Sequence, residues 1–275
     1  METLGRVLAI AGSDSGGGAG IQADIKAITA LGGYAMTAVT AITVQNTKGV
    51  TGIHPVPAEV IGAQIRSVLG DIGADTVKTG MLGSAEIVQT VAAALADAGP
   101  DIPLILDPVM IATSGDRLVD DDAVAAIRDQ LLPRAAIVTP NSPEAETLTG
   151  RAVTNCDEQV EAGRALVAMG AGAALIKGGH LSGPTVRDVL VTAKEVFVFE
   201  SKRLDTTNTH GTGCTLASAI ATGLARGQSL PDAVEAAGRY LHEAILRAPG
   251  LGSGHGPVDH GWVLRLHAAE PGSGL

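Results

Sequence analysis

The sequence predicts an α/β fold in which a mostly parallel central sheet is flanked by helices. Short apolar runs alternate along the chain with longer segments of helical period, which is typical of parallel strands joined by crossover helices. The 275 residues are 45 % hydrophobic and 2 % aromatic, so the core is expected to consist mainly of Ala, Val, Leu and Ile. The alternation runs on without a linker. We therefore assign residues 1–265 to a single domain and residues 266–275 to a flexible tail.

In the first half of the chain, predicted strands and helices alternate. The predicted strands are VLAIAG, AMTAVTAITVQ, ADTVKTGM and IPLILDPVM. The predicted helices between them are IQADIKAITALG, VPAEVIGAQIRSVLGDI and SAEIVQTVAAALADAG. Pro57 favours the start of the second helix, because its missing N–H would have no helical partner in a first turn.

The second half continues this pattern and then departs from it. The next predicted elements are helix DAVAAIRDQLL, strand AAIVTPN, helices SPEAETLTG and DEQVEAGRALVAMGAG, and strand AALIKGG. Between Thr185 and Ser201, VRDVLVT and EVFVFES alternate in polarity on either side of a turn-like Ala-Lys pair, which predicts an antiparallel hairpin at an edge of the sheet. Two further helices are expected, from Thr215 and from Leu230.

Charge and cysteine content exclude several classes of function. The formal net charge is −10 with no run of lysine or arginine, which argues against nucleic acid or an anionic membrane as the main partner. No apolar stretch reaches the roughly 18 residues that a membrane span needs. Cys156 and Cys214 lack metal-ligand spacing, and the N-terminus does not resemble a signal peptide. We expect a reduced, cytoplasmic protein that binds a small molecule.

The segment DTTNTHGTGCTLA, residues 205–217, is the strongest candidate for an anion site. Gly211 and Gly213 allow a tight turn in which backbone N–H groups converge, and the helix that follows adds the positive end of its dipole. Cys214 lies in the first turn of that helix, where the dipole and nearby cations are expected to lower the thiol pKa from roughly 8.5. The alternative is that the glycines permit close packing and that Cys214 is a small core residue.

The loop GSDSGGGAG, from Gly12 to Gly20, is a second candidate for ligand contact. It follows the first strand, and its glycines can present bare backbone to a ligand. It matches neither GxxxxGK[ST] nor GxGxxG, which disfavours those two kinds of nucleotide site. A tight turn beneath a helix start is the alternative interpretation.

Polar side chains follow four other predicted strands: Gln45, Asp107, Asn141 with Glu144, and Lys177. In open α/β sheets the ligand crevice lies outside the carboxyl ends of the strands, so these groups are expected to share one rim. Carboxylates suit Mg²⁺ and a lysine suits nucleotide phosphates, which together point to phosphoryl transfer. Each residue also has a structural explanation, as a turn former, a helix cap or a surface lysine.

Seven segments occur in the order and spacing of a known family. They are AGSDSGGGAGIQADIKA, VTAITVQNTKGV, KTGML, DPVMIATSGD, TPNSPEAETL, LIKGGH and NTHGTGCTLASA. Over roughly residues 6–260 the chain resembles the hydroxymethylpyrimidine/phosphomethylpyrimidine kinases of thiamine synthesis, which belong to the ribokinase-like superfamily. The resemblance implies a three-layer sandwich, ATP as co-substrate and Mg²⁺ as metal ion. It also implies a homodimer.

The resemblance assigns roles to individual residues. Gln45 is expected to pair with the aminopyrimidine ring, since an amide both donates and accepts, and Asp24 is expected to be a second polar contact. The walls of the pyrimidine site would be formed by Gly12, Ala19, Val44, Met81 and Val109. ATP would contact Lys177, Asn141, Thr209 and His210, and Mg²⁺ would be held by Asp107 and Glu144. The catalytic group would comprise Cys214, Gly211, Gly213 and Lys177.

The implied activity is phosphorylation of 4-amino-5-hydroxymethyl-2-methylpyrimidine to its monophosphate and then to its diphosphate. Sugar kinases of the superfamily typically have an aspartate where this chain has Cys214, and a thiol that can become neutral would tolerate an acceptor that is already a phosphate. One alternative is a pyridoxal-type kinase on the same scaffold. Another is a pyrimidine-binding sensor without catalysis, against which Lys177, Glu144 and the intact HGTGC segment argue.

Overall fold

The computed structural model describes residues 4–99, 101–111, 115 and 118–268. Of the predicted tail, residues 266–268 belong to the last helix and the remainder lies outside the described residues. Part of the DPVMIATSGD segment also lies outside them. The assignment of residues 1–265 to one domain stays a prediction.

The strands of the described residues form a single nine-stranded sheet. They are β1 (Arg6–Asp14), β2 (Tyr34–Asn46), β3 (Gly49–Pro55), β4 (Thr76–Thr79), β5 (Leu104–Leu106), β6 (Ala135–Val138), β7 (Ala173–Ile176), β8 (Thr185–Thr192) and β9 (Val196–Lys202). Their order across the sheet is β3-β2-β1-β4-β5-β6-β7-β8-β9. The six central strands, β2, β1, β4, β5, β6 and β7, pair in parallel, whereas β3 at one edge and β8 and β9 at the other pair antiparallel.

Helices cover both faces of the sheet. They are α1 (Gly20–Ala30), α2 (Ala58–Asp71), α3 (Ala85–Asp97), α4 (Asp121–Ala126), α5 (Ser142–Thr149), α6 (Cys156–Ala168), α7 (Thr212–Ala225), α8 (Leu230–Leu246) and α9 (Trp262–Ala268). Helix α4 continues into a π-helical turn, Ile127–Leu131, and a 3₁₀ turn, Leu132–Arg134. Helices α1, α7 and α8 pack on one face, and α2 to α6 pack on the other.

The two faces of the sheet divide the core because strand side chains alternate. On β1, Val7 faces the α1–α7–α8 layer, while Leu8 and Ile10 face the opposite layer. On β5, Ile105 faces the first layer and its two neighbours face the second. The observed architecture confirms the predicted α/β fold class and the antiparallel hairpin at an edge.

The sequence analysis did not predict two of the elements, and it placed the start of a third too late in the chain. Strand β3 was not predicted, because TKGVTGIHP combines glycine and proline with polar residues and has no clear apolar alternation. Helix α9 was also missed. Helix α7 begins at Thr212 rather than at Thr215, directly after Gly211 in the left-handed conformation. In the described part of the chain, no helix combines the length and apolar character needed to cross a bilayer.

Candidate active site

A cleft of about 1540 Å³ opens at the carboxyl ends of the parallel strands and extends past β8 and β9 to α8. Most of the predicted site residues line it. These are Gly12, Ala19, Gln45, Met81, Asp107, Val109, Asn141, Glu144, Lys177, Thr209, His210, Gly211, Gly213 and Cys214. The parallel topology brings them together although they are spread over most of the sequence.

The start of helix α7 forms one wall of this cleft. Gly211 precedes the helix with a φ of 81°, and a Cβ atom there would lie 1.8 Å from the carbonyl oxygen of Gly18. Within the described residues, no side chain caps this helix start. Its first-turn N–H groups therefore lack side-chain partners and form the positive end of the helix dipole. This arrangement binds anions.

The glycine-rich loop is folded around the carboxylate of Asp14. Asp14 Oδ1 accepts the Gly16 N–H at 2.8 Å, and Oδ2 accepts the N–H groups of Gly18 at 2.9 Å and Ala19 at 2.8 Å. Oδ2 also lies 2.8 Å from Nε2 of His210. Burial raises the pKa of Asp14, but the hydrogen bonds from His210, Ala19 and Gly16 outweigh it and hold the pKa below its usual range.

His210 makes a contact that the sequence did not predict. Its ring is 6 % exposed, and Nε2 is engaged by Asp14. A Cβ atom on Gly18 would lie 2.4 Å from Cδ2 of the same ring. His210 thus packs against the glycine-rich loop and ties it to the start of α7, and because it also lines the cleft its ATP contact stays a prediction.

An Asp14→Asn variant is expected to lose about 2 kcal/mol of unfolding free energy at pH 7, because an amide offers one acceptor oxygen where the carboxylate offers two. The lowered pKa of Asp14 means that its stabilisation is complete above the unfolded pKa, about 4, and is lost as the pH falls through the folded value. The difference in unfolding free energy between wild type and variant should therefore become smaller as the pH falls. Denaturant unfolding at pH 7 and pH 3 measures it, and a gap that widens at pH 3 would contradict this account.

Opposite the start of α7 lies a charged rim. Lys177 Nζ lies 3.1 Å from Asp107 Oδ1 and 4.0 Å from Glu144 Oε2. Burial opposes the charge on Lys177, but Asp107 and Glu144 raise its pKa above the usual value, so the ammonium is retained. Thr139 Oγ1 also donates to Asp107 Oδ1, at 3.1 Å. The rim is therefore a preorganised cluster of one cation and two acids.

Glu144 is held in place by the capping box of helix α5. Its N–H donates to Asn141 Oδ1 at 2.9 Å, and its Oε2 accepts the Asn141 N–H at 2.8 Å. Burial raises the pKa of Glu144 to about 7, although Lys177 lowers it. The capping interpretation of Glu144 and its predicted place in the site are thus compatible, since the same side chain caps the helix and lines the cleft.

The acids of this rim suit Mg²⁺. Among the described residues, no group of three or more His, Cys, Asp or Glu side chains is placed to hold a metal by itself. Asp107 Oδ2 is nevertheless buried with no hydrogen-bond partner among them, and Glu144 is its neighbour across Lys177. Mg²⁺ is commonly bound by one or two carboxylates together with waters and substrate phosphates, so this pair fits the ion.

The side of the cleft that the sequence resemblance assigns to the pyrimidine is apolar and close-packed. A Cβ atom on Gly12 would lie 2.5 Å from Met81 Cε, so Met81 packs directly on bare backbone. Ala19 and Val109 add to this wall. Thr43 Oγ1 donates to the Ser13 carbonyl at 2.8 Å and lies 3.1 Å from Gln45 Oε1, and the amide N–H₂ group of Gln45 can donate to a ligand.

Asp24 and Val44 lie elsewhere, and both predictions are corrected. Asp24 is 0 % exposed beneath the cleft surface, where it pairs with Lys78 at 2.9 Å, so it is a core residue rather than a ring contact. Val44 is 63 % exposed, whereas Thr43 before it is buried against the cleft. Side chains alternate along β2, which places Val44 on the face opposite the ligand.

Cys214 lines the cleft, but its thiol is less acidic than its helix position suggested. Burial raises the pKa of Cys214 to about 11, with Lys78 as the main opposing influence. The expectation of a partly ionised thiolate at neutral pH is therefore wrong for the free protein. Sequence reasoning considered the helix dipole and missed both the desolvation and Lys78, whose only local signal is a lysine inside a buried strand.

Comparison with known proteins places this geometry in context. A family model described as phosphomethylpyrimidine kinase matches residues 14–259. The hydroxymethylpyrimidine/phosphomethylpyrimidine kinase of Streptomyces coelicolor is 52 % identical over 258 residues, which cover 94 % of this chain and 95 % of the relative. The thiamine biosynthesis bifunctional protein of Geobacter sulfurreducens is 49 % identical over 256 residues, covering 93 % of this chain and 52 % of that protein.

A solved structure shares the whole architecture. The ADP complex of Bacillus subtilis pyridoxal kinase matches with a TM-score of 0.87 at 35 % identity, covering 96 % of this chain and 100 % of that one. The likeness confirms the three-layer fold that the sequence resemblance implied. It also shows that one backbone arrangement is shared by kinases named for two different flat nitrogen rings.

Proposed function

The chain belongs to the phosphomethylpyrimidine kinase family, and on that premise we propose that it phosphorylates 4-amino-5-hydroxymethyl-2-methylpyrimidine and then the resulting monophosphate. It is a phosphotransferase with ATP as co-substrate, and its product, the diphosphate, serves thiamine diphosphate biosynthesis. Mg²⁺ and a homodimer, which rest on the family resemblance, are part of the proposal, as is the cytoplasmic location expected from the sequence.

The observation that carries the proposal is the convergence of the helix start and the charged rim. A Cβ atom on Gly213 would lie 3.3 Å from Lys177 Nζ and 3.6 Å from Asp107 Oδ2. The uncapped N–H groups of α7, a largely buried ammonium and two carboxylates therefore meet at one point. This set matches what phosphoryl transfer needs, since positioning and charge neutralisation supply most of the catalysis.

In the proposed reaction, the hydroxymethyl oxygen forms a bond to the γ-phosphorus of ATP while the bond from that phosphorus to the ADP oxygen breaks. Negative charge accumulates on the equatorial oxygens and on the leaving ADP. The N–H groups of the α7 start and Lys177 would stabilise that charge because they already point into the site. Bound at Asp107 and Glu144, Mg²⁺ would supply further neutralisation of the phosphate oxygens.

Cys214 is assigned a supporting role in this reaction. A thiol with its pKa near 11 is neutral at physiological pH, so in the proposed reaction Cys214 would orient the acceptor hydroxyl rather than remove its proton. A loose transition state needs little help from a base, so the hydroxyl proton can pass late in the reaction to an oxygen of the transferred phosphoryl group. A neutral group also accepts both substrates, the free alcohol and the monophosphate, without repelling the second.

A Cys214→Asp variant tests this argument. The second transfer is expected to fall at least about 10-fold more than the first, because a carboxylate beside an anionic acceptor adds repulsion of more than 1.4 kcal/mol. Cys214→Ser, which stays neutral, is the matched control and should affect both transfers alike. Separate rates for the mono- and diphosphate, measured by mass spectrometry, decide the point. A second transfer that is undiminished relative to the first in Cys214→Asp would count against the argument.

Pyridoxal phosphorylation is the second candidate, since the chain shares its fold with a pyridoxal kinase and pyridoxal also carries a hydroxymethyl group on a flat nitrogen ring. The higher identity of the pyrimidine-kinase relative favours the pyrimidine. A product assay with ATP and Mg²⁺, offering the two compounds separately and together, tests the proposal. Sequential pyrimidine mono- and diphosphate is the expected result. Pyridoxal phosphate as the sole product would overturn it, and no product from either would support a ligand-binding sensor.

A further inference from the structure

A buried ion pair lies beneath the cleft and has no part in the chemistry described so far. Lys78 on β4 and Asp24 on α1 are both 0 % exposed, and Lys78 Nζ lies 2.9 Å from Asp24 Oδ1. Ser218 Oγ on α7 donates to the same oxygen at 2.7 Å. Replacing a buried ion pair with apolar groups of similar volume is often neutral or stabilising, so fold stability alone is a weak reason for these charges.

The position of the ammonium links the pair to the reaction centre. A Cβ atom on Gly80 would lie 2.9 Å from Lys78 Nζ, so the side chain reaches toward the carboxyl end of β4, where the cleft opens. Ser218 follows Cys214 by four residues on α7, and residues four apart share a helix face. The Lys78–Asp24 pair therefore lies under the face of α7 that carries Cys214.

The positive charge of the pair, on Lys78, acts on the reaction centre above it. Lys78 lowers the pKa of the Cys214 thiol more than Asp24 raises it, so within the ion pair the cation has the larger influence on that thiol. Lys78 is likewise influenced by Asp107, the candidate metal ligand on the next strand of the sheet. A fixed charge in the protein interior acts on groups that it does not touch, because the protein between them excludes water.

We propose that Lys78 and Asp24 are positioning residues for phosphoryl transfer. The inference rests on the proposed function and deepens it. Through Ser218 the pair holds the first two turns of α7 against β4 and α1, which keeps the anion-binding N–H groups in register with Lys177 across the cleft. At the same time Lys78 places a fixed positive charge beneath the transferring group without touching substrate, which favours the charge that develops in the transition state.

The test compares the neutral double variant Asp24→Asn/Lys78→Met with wild type. Both replacements are close in volume to the native side chains. Because both are also neutral, no charge is left buried without a partner. We expect kcat to fall at least about 10-fold, with the KM for the pyrimidine within about twofold of wild type, because the lost interactions act on the transition state. Thr76→Val is the matched control. It removes the buried Thr76 Oγ1 to Ala221 carbonyl bond of 3.1 Å, which ties the same strand to the same helix without charge. It should lower Tm and leave kcat unchanged.

Two additional measurements keep the proposal testable if the double variant does not fold. Ser218→Ala removes only the hydrogen bond that couples the pair to α7, and it is expected to lower kcat about threefold at unchanged KM. Alkylation of Cys214 by iodoacetamide, followed in a Cys156→Ser background, needs no substrate. It should slow at least about threefold in the double variant or, if that variant does not fold, in Lys78→Gln.

Wild-type kcat in the double variant, or in Ser218→Ala if the double variant is unfolded, would overturn the proposal. A wild-type protein that phosphorylates neither ring would refute the proposed function instead, and the alkylation result would still report on Lys78.

Discussion

A Gly211→Ala variant is expected to lose at least about 100-fold in kcat/KM, the scale of losing an oriented N–H donor at a site of developing negative charge. The new Cβ atom would lie 1.8 Å from the Gly18 carbonyl oxygen and 3.1 Å from Ala19 Cα, both of which are backbone atoms that cannot rotate away. The residue would also hold a φ of 81°, which costs an L-amino acid about 1–2 kcal/mol. The glycine-rich loop and the start of α7 would therefore move apart.

Gly227→Ala separates backbone strain from this clash. Gly227 has a φ of 84°, close to that of Gly211, but no described atom beyond its chain neighbours lies within 4 Å of the added Cβ. Its substitution should cost about 1 kcal/mol of stability and leave kcat/KM unchanged. Thermal unfolding and steady-state kinetics on both variants make the comparison. A Gly211→Ala protein with wild-type kcat/KM would mean that the α7 start does not bind the transferring phosphoryl group.

Features that depend on local sequence could be predicted without the structure. The turn at Gly211 and Gly213, the helix after it and the capping role of Glu144 all follow from residues within one or two turns of each other. The gathering of Asp107 and Lys177 at one rim also followed, because parallel strands point their carboxyl ends to the same edge. For this reason most of the predicted cleft residues line the cleft.

The errors concern properties that burial decides. Asp24 is polar in a loop-proximal segment, and only the packing of α1 against α7 and β4 shows that its carboxylate faces Lys78. The pKa of Cys214 depends on the same packing, which removes water that the helix dipole argument took for granted. The contact between Asp14 and His210 joins residues 196 positions apart, and neither residue has a local pattern that announces the other. Tertiary contacts of this kind leave no periodic trace in a single sequence.

A Lys177→Met variant is expected to lose about 1000-fold in kcat while its KM for the pyrimidine stays within about threefold, because in the proposed reaction Lys177 contacts ATP rather than the pyrimidine and acts on charge that grows in the transition state. Methionine fills the same volume but leaves Asp107 and Glu144 without the cation that lies 3.1 and 4.0 Å from them. Breaking a buried pair in this way costs about 3 kcal/mol in stability, so Tm should fall in the free protein. Saturating Mg²⁺ should restore part of that Tm, since the metal ion would supply the missing positive charge to the same two carboxylates.

Lys194→Met is the matched control for this prediction. Lys194 is an exposed lysine between β8 and β9, outside the cleft, so its loss should change neither kcat nor the response of Tm to Mg²⁺. Steady-state kinetics give kcat, and thermal shift with and without Mg²⁺ gives the response of Tm.

The two readouts separate the two roles assigned to Lys177. If Lys177→Met keeps more than about a tenth of kcat, the ammonium does not neutralise the transferring phosphate, whatever happens to Tm. If Mg²⁺ leaves the Tm of that variant unchanged, Asp107 and Glu144 do not form the metal site, whatever happens to kcat.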